Sequence, residues 1–231
     1  MFVKLLKGVL QALPSQCLVC RAWPSQPVCE ACVAQFAQPL PRCQTCALHV
    51  PADVTHCGAC VKNPPPLDAC IAAVTYAYPW SDLIVDYKFN QWVGRAGAFS
   101  LLLRSTPWVE PALEAADYVL PMPLSTQRLQ TRGFNQALVL ARQLSPDKTD
   151  SRLLLRIKDT PPQSTLNRRE RLSSMTHAFA VDPQYFKHIK GARLVLLDDV
   201  MTSGASLYSA ATALRAAGAS HITAIVLART Q

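Results

Sequence analysis

Two adjacent carboxylates at the end of an apolar run, followed by a turn of small and hydroxylated residues, carry the clearest chemistry in the chain. The run Leu194-Val195-Leu196-Leu197 predicts a buried strand, Asp198 and Asp199 stand at its carboxyl end, and Thr202-Ser203-Gly204-Ala205-Ser206 opens a helix. In parallel sheets, ligands bind beyond the carboxyl ends of the strands. The turn can aim several backbone N–H groups and three hydroxyls at one phosphate, aided by the positive end of the helix that follows. The two aspartates can accept hydrogen bonds from a vicinal diol. A sugar phosphate meets both demands. An apolar strand closed by aspartates also suits the magnesium strand of P-loop ATPases, but the chain has no Gly-Lys-Ser or Gly-Lys-Thr sequence to cradle the phosphates.

A second chemistry lies nearer the amino terminus. Eight of the nine cysteines form four tight pairs, Cys17/Cys20, Cys29/Cys32, Cys43/Cys46 and Cys57/Cys60. Two thiolates separated by two residues make a metal knuckle, and two knuckles complete a tetrahedral zinc site, so one or two structural zinc ions are expected. Sequential pairing is favoured, with alternating pairing also open. A thioredoxin-like dithiol is disfavoured because the pairs lie in a proline-rich stretch without β-α-β context. So short a module has little core, and the metal would supply much of its folding free energy. Closed zinc sites are not catalytic, which makes the module a docking or nucleic-acid-contacting element. His56 is read as solvent-facing and Cys70 as a small buried hydrophobe.

The elements that must position these groups follow from the apolar pattern. Nine of the eighteen prolines fall between Pro14 and Pro66, and the domain boundary is placed there, giving a helix and zinc-ribbon module over 1–66 and a second domain over 67–231. Val3, Leu6, Leu10 and Leu13 suggest a short amphipathic amino-terminal helix; no clean signal peptide or membrane span is read, and a reducing cytoplasm fits the cysteines. In the second domain, strands are expected near 69–76, 116–121, 193–198 and 221–228, with helices near 81–88, 94–104, 134–144 and 205–217. The alternation predicts an α/β fold with a mostly parallel sheet flanked by helices, ending in a β-α-β unit.

The thirteen residues Leu194–Ser206 closely resemble the ribose-phosphate fingerprint of type I phosphoribosyltransferases, which bind 5-phosphoribosyl-1-pyrophosphate (PRPP). Leu120-Pro121-Met122-Pro123-Leu124-Ser125 resembles that family's pyrophosphate loop, often a strained backbone. Asp159-Thr160-Pro161-Pro162-Gln163-Ser164 with Arg168, Arg169 and Arg171 resembles the mobile loop that closes over PRPP. With Arg128 to Gln136, Asp86-Tyr87-Lys88-Phe89 and the cysteine pairs, nearly the whole chain is similar to the competence-protein ComF family, whose members are linked with DNA uptake.

The resemblance implies a PRPP-binding phosphoribosyltransferase-like protein. Met122, Pro123, Leu124, Ser125, Arg128, Arg132, Asp198, Asp199, Thr202, Ser203, Gly204, Ala205 and Ser206 would bind PRPP with Mg2+, and Arg168 and Arg171 would steady the departing pyrophosphate. The acceptor is not specified. Amidophosphoribosyltransferases begin with a glutaminase domain, whereas here that region holds knuckles, so glutamine-dependent amine transfer is not implied.

The formal net charge is +8, with ten basic and four acidic residues between Arg128 and Arg171. Such a surplus attracts phosphates on a small ligand or on nucleic acid. The other reading is therefore an adaptor for single-stranded DNA or the DNA-uptake machinery, with PRPP as regulator or absent. Aromatics are only 7% and do not alternate with the basic residues, so no base-stacking platform is visible. Arg128 and Arg132 read equally as phosphate contacts or solvated cations, Arg168, Arg169 and Arg171 equally as a helix face paired through Glu170, and Lys88 as a helix residue with its ammonium in water. No partner is read for His177, His188 or His221.

Overall fold

The computed structural model describes residues 15–89, 93–158 and 178–231. They fall into two compact units, Met1–Gln38 and Pro39–Gln231. The proposed amino-terminal helix, the loop Asp159–Ser164, the cations Arg168, Arg169 and Arg171, and His177 lie outside the described residues.

The smaller unit is a knuckle followed by a helix. Ser15 pairs with Ser25 in an isolated antiparallel bridge, and helix α1, Glu30–Phe36, follows with Cys29 at its N-cap.

The larger unit repeats that plan and then builds a sheet. Helix α2, Gly58–Lys62, has Cys57 at its N-cap. Strand β1, Ala69–Thr75, leads to α3, Trp80–Phe89, α4, Ala96–Arg104, and α5, Val109–Ala115. Strand β2, Tyr118–Pro121, is followed by α6, Thr126–Arg132, and α7, Gln136–Leu144. Next come β3, Leu154–Arg156, β4, Phe179–Val181, and a short α8, Phe186–Ile189. Strand β5, Arg193–Met201, helix α9, Ala205–Ala216, and strand β6, His221–Arg229, complete the fold.

Four strands form one sheet in the order β1-β6-β5-β2, and all three pairings are parallel. Parallel neighbours need crossovers, and α9 supplies the one between β5 and β6. The interior strands read as near-continuous apolar runs because both faces are covered; residues Ile222 to Arg229 of β6 are all buried. Helix α7 turns Ala137, Leu140, Ala141 and Leu144 inward, and α4 turns in Phe99, Leu102 and Leu103. Each such leucine or phenylalanine contributes about 1.5–3 kcal/mol on burial. Ser100 Oγ donates to Gln143 Oε1 at 2.8 Å, tying α4 to α7.

Helices α5, α6 and α8 and strands β3 and β4 were not anticipated. Helix α5 begins two residues before Pro111, where proline is tolerated because a first-turn N–H has no helical partner. Strands β3 and β4 form an antiparallel pair outside the main sheet, too short for an alternating pattern to register. Among the described residues, no helix is long and apolar enough to cross a membrane.

Candidate functional site

A parallel sheet brings every strand's carboxyl end to one rim. Asp198 and Asp199 lie on that rim near the end of β5, beside the loop that follows β2, where the Met122 N–H donates to the Leu197 carbonyl at 2.9 Å. Asn135 Nδ2 donates to the Met122 carbonyl at 3.0 Å, and Asn135 also caps α7. Ser125 is buried and caps α6, accepting from the Arg128 N–H. The loop Met122–Ser125 has neither a cis peptide nor a positive φ, so its backbone is ordinary rather than strained.

The turn after β5 needs its glycine. Gly204 takes φ +83°, and a Cβ there would lie 2.4 Å from the Tyr208 ring. Only glycine meets both conditions without displacement. Its left-handed conformation opens α9 at Ala205, and the first N–H groups of that helix lack helical partners.

Asp199 is buried and paired. Lys88 Nζ stands 2.9 Å from Asp199 Oδ1, which corrects the expectation that the ammonium stays in water. Burial and the charge of Asp199 push Asp198 up to about 7, against the opposing pull of Lys88, the Asp199 N–H and Arg132. Arg132 is held below its ordinary value by burial, while Asp199 and Asp198 act on it in the stabilising sense. Its guanidinium also sits 5.1 Å from the centroid of the Phe89 ring. Arg132 thus belongs to the acid pair's surroundings and is not merely a loop cation.

The organiser of this cluster is Gln136, which is only 1% exposed. Its Nε2 donates to the Lys88 carbonyl at 3.4 Å, its Oε1 accepts from Arg132 Nη1 at 3.1 Å, and its own carbonyl accepts from Tyr87 OH at 3.1 Å. Sequence reasoning gave Lys88 and Gln136 no site role. A lysine and a glutamine at helix ends carry no local signal of a tertiary partner. Gln136→Leu is expected to lower stability by about 1–3 kcal/mol, since it strands the Arg132 donor, and to raise the Kd for any ligand of the acid pair. Chemical denaturation of both proteins measures the first effect and calorimetry the second.

The cysteine pairs group sequentially, Cys17, Cys20, Cys29 and Cys32 in one set and Cys43, Cys46, Cys57 and Cys60 in the other, with the sulfurs of each set within 4.8 Å of one another. All nine cysteines are free thiols. Tetrahedral zinc with Zn–S bonds of about 2.3 Å needs sulfurs about 3.8 Å apart. Cys20 and Cys29 Sγ are 3.6 Å apart, and Cys46 and Cys57 Sγ 3.7 Å. The donors fit, and each group could hold one zinc ion.

The two groups share one local design. Arg21 and Ala47, each four residues after the first cysteine, take left-handed φ values of 65° and 54°. Each donates its N–H back to that cysteine's carbonyl. Burial raises the Cys17 and Cys43 thiols, but backbone N–H groups outweigh it and bring them to about 6 and about 7. Cys70 is buried, as expected, and burial pushes its thiol up to about 12. His56 is exposed, also as expected. His221, given no partner from sequence, stands 3.6 Å from Asp68, and the His188 ring meets Tyr118 and Tyr185.

No family model matches the chain. Curated relatives do. The DNA utilization protein YhgH of Escherichia coli strain K12 is 30% identical over 234 residues, covering 94% of this chain and 98% of the relative. Competence protein F of Haemophilus influenzae is 32% identical over 213 residues, covering 87% and 90%. The chain belongs to the ComF family. Competence protein ComFC of Bacillus subtilis, 35% identical over 96 residues, covers 42% of this chain and 37% of its own length. The ComF relationship spans both cysteine groups and the parallel sheet, since the longer matches cover most of the chain.

Proposed function

We propose that this ComF protein binds PRPP at the carboxyl end of β5. The observation that carries the reading is the acid pair, Asp199 buried and Asp198 half-buried, beside a glycine-opened helix start, with Lys88 and Arg132 gathered around it. In this reading Asp198 and Asp199 accept the ribose hydroxyls. The N–H groups of Thr202, Ser203, Gly204, Ala205 and Ser206 receive the 5-phosphate, and Met122, Pro123, Leu124 and Ser125 line the pyrophosphate side. Arg128 and Arg132 add positive charge there. Lys88, which holds Asp199 Oδ1 in the free protein, places a further positive charge beside the acid pair.

Transfer, if an acceptor is present, breaks the bond from the anomeric carbon to the pyrophosphate oxygen as the acceptor forms its own. Positive charge develops on the ribose ring, and the two aspartates face it; Arg168 and Arg171 would steady the leaving pyrophosphate. Magnesium bound with PRPP supplies charge neutralisation on the pyrophosphate. The deciding experiment is calorimetric titration of PRPP with magnesium, followed by a pyrophosphate-release assay across bases and amines. Saturable binding in the micromolar range supports the site; no heat at any concentration refutes it.

The names of the relatives support a second reading, a role in handling DNA during uptake or utilisation. The formal charge of +8 favours contact with a polyanion. Single-stranded DNA is then expected to bind with an affinity that falls steeply as salt rises, by about 300-fold between 50 and 200 mM if six phosphates are contacted. Fluorescence anisotropy checks it, and no binding at low salt removes the reading.

A further inference from the structure

Arg229, the last residue of β6, is buried at 7% exposure yet makes no ion pair among the described residues. Its Nε donates to the Cys46 carbonyl at 2.9 Å. Its Nη1 lies 3.2 Å from the Met201 carbonyl and 2.5 Å from the Thr202 carbonyl, and it also reaches the carbonyl and hydroxyl of Thr230. A single guanidinium therefore joins the second cysteine group to the turn after β5. Between them lies a cavity of about 660 Å³, with Cys46, Cys57 and Cys60 on one wall and Thr202, Ser203 and Tyr208 on another.

The consequence follows from the planar trans peptide. Within each peptide unit the C=O and the next residue's N–H point in opposite directions. Holding the carbonyl of Met201 fixes the N–H of Thr202, and holding that of Thr202 fixes the N–H of Ser203. The cation that grips the carbonyls also polarises those peptides, which strengthens their N–H groups as donors. A tetrathiolate with a divalent ion carries two net negative charges, and Arg229 and Arg42 stand next to the group. Arg42 Nη1 donates to the Ala47 carbonyl at 3.1 Å. The metal-loaded group thus fits two neighbouring guanidiniums.

We infer that Arg229 is a positioning residue that couples occupancy of the Cys43, Cys46, Cys57 and Cys60 site to the phosphate-binding turn Thr202–Ser206. The inference rests on the proposed PRPP site for its ligand and not for its geometry. Coupling is reciprocal: metal at the second group favours the phosphate, and the phosphate must favour retention of that metal. The link is argued from the second group alone, whose Cys46 carbonyl Arg229 holds.

The test uses the full zinc-loaded chain, Arg229→Gln and Arg229→Lys. PRPP affinity is expected to fall about 10–100-fold in R229Q and less in R229K, which keeps the charge but cannot span both sides. In the wild type, saturating PRPP should slow chelator-driven release of one zinc of the two by about tenfold. In R229Q at saturating PRPP both should leave at rates PRPP does not change. Hydrogen exchange of the Thr202–Ser206 amides should rise in R229Q while β1 stays protected. Equal PRPP affinity in wild type and R229Q, or zinc release from the wild type indifferent to bound PRPP, overturns the coupling. So does exchange that rises in β1 as much as in the turn, which marks a merely structural arginine. If the wild type binds no PRPP, the ligand reading fails and the exchange data alone decide: a rise confined to the turn upholds the brace, and unchanged exchange overturns it.

Discussion

Asp198→Asn will unfold at a higher temperature than the wild type while losing PRPP affinity by two orders of magnitude or more. Burial and the neighbouring charge of Asp199 raise the folded-state value of Asp198 from 3.8 to about 7. A carboxyl raised on folding contributes stability that is fully present below its unfolded value and lost as pH climbs through the folded one. The wild type therefore forfeits stability from about pH 4 to about pH 7, and the amide does not. Above pH 7 the variant should gain about 1–3 kcal/mol, shrinking towards zero near pH 4. The amide oxygen can still accept the Asp199 N–H, a 2.9 Å bond in the native protein, so the strand end keeps its shape. Thermal unfolding at pH 4, 6 and 8 with parallel PRPP titrations gives the answer. A gain independent of pH, or undiminished affinity, would show that Asp198 is neither strained by its charge nor in contact with ligand.

Substituting the two cysteine groups will have unequal results. Cys43, Cys46, Cys57 and Cys60 belong to the same buried cluster as Leu120, Leu196 and Val226 of the sheet. The Gln44 carbonyl accepts from Cys70 in β1 at 2.7 Å, and the Cys46 carbonyl holds Arg229. Structural zinc binds with about 10–16 kcal/mol in small modules, comparable to the whole stability of a domain. Cys43→Ser should therefore lose one zinc and either unfold the larger unit or lower its midpoint by more than about 10 °C. Cys17→Ser should also lose one zinc but leave that midpoint within about 2 °C. Elemental analysis and circular dichroism on both variants decide it, and equal destabilisation would mean that the first group also supports the sheet.

What could be read beforehand depended on the range of the signal. The β5–turn–α9–β6 segment was legible because its information is local: four consecutive apolar residues, two acids, small turn residues and an apolar strand. The knuckles were legible for the same reason, since spacing within a pair limits what one ion can reach. Strand β5 runs to Met201, beyond the expected end at Asp198, because the sheet keeps pairing it with β6 as far as Arg229; carboxylates lower strand propensity but the partner strand decides. Lys88 was misread because its meaning comes from Asp199, more than a hundred residues away. Gln136 and Arg229 were silent for the same reason. Each is a polar residue whose role is set by the carbonyls around it, which no periodicity reports. That the second knuckle group shares the sheet's core was equally invisible in the spacing.

The chain carries two copies of one small blueprint: a paired-cysteine hairpin with a left-handed corner, then a helix with the third cysteine at its N-cap position. One copy is built into the foundations of the sheet, and its neighbours are fixed by that. The other belongs to the smaller unit, with an isolated bridge and one helix around it. Descendants of this sequence could rework that copy's surface for new contacts, while the copy in the sheet's core must be inherited almost unaltered.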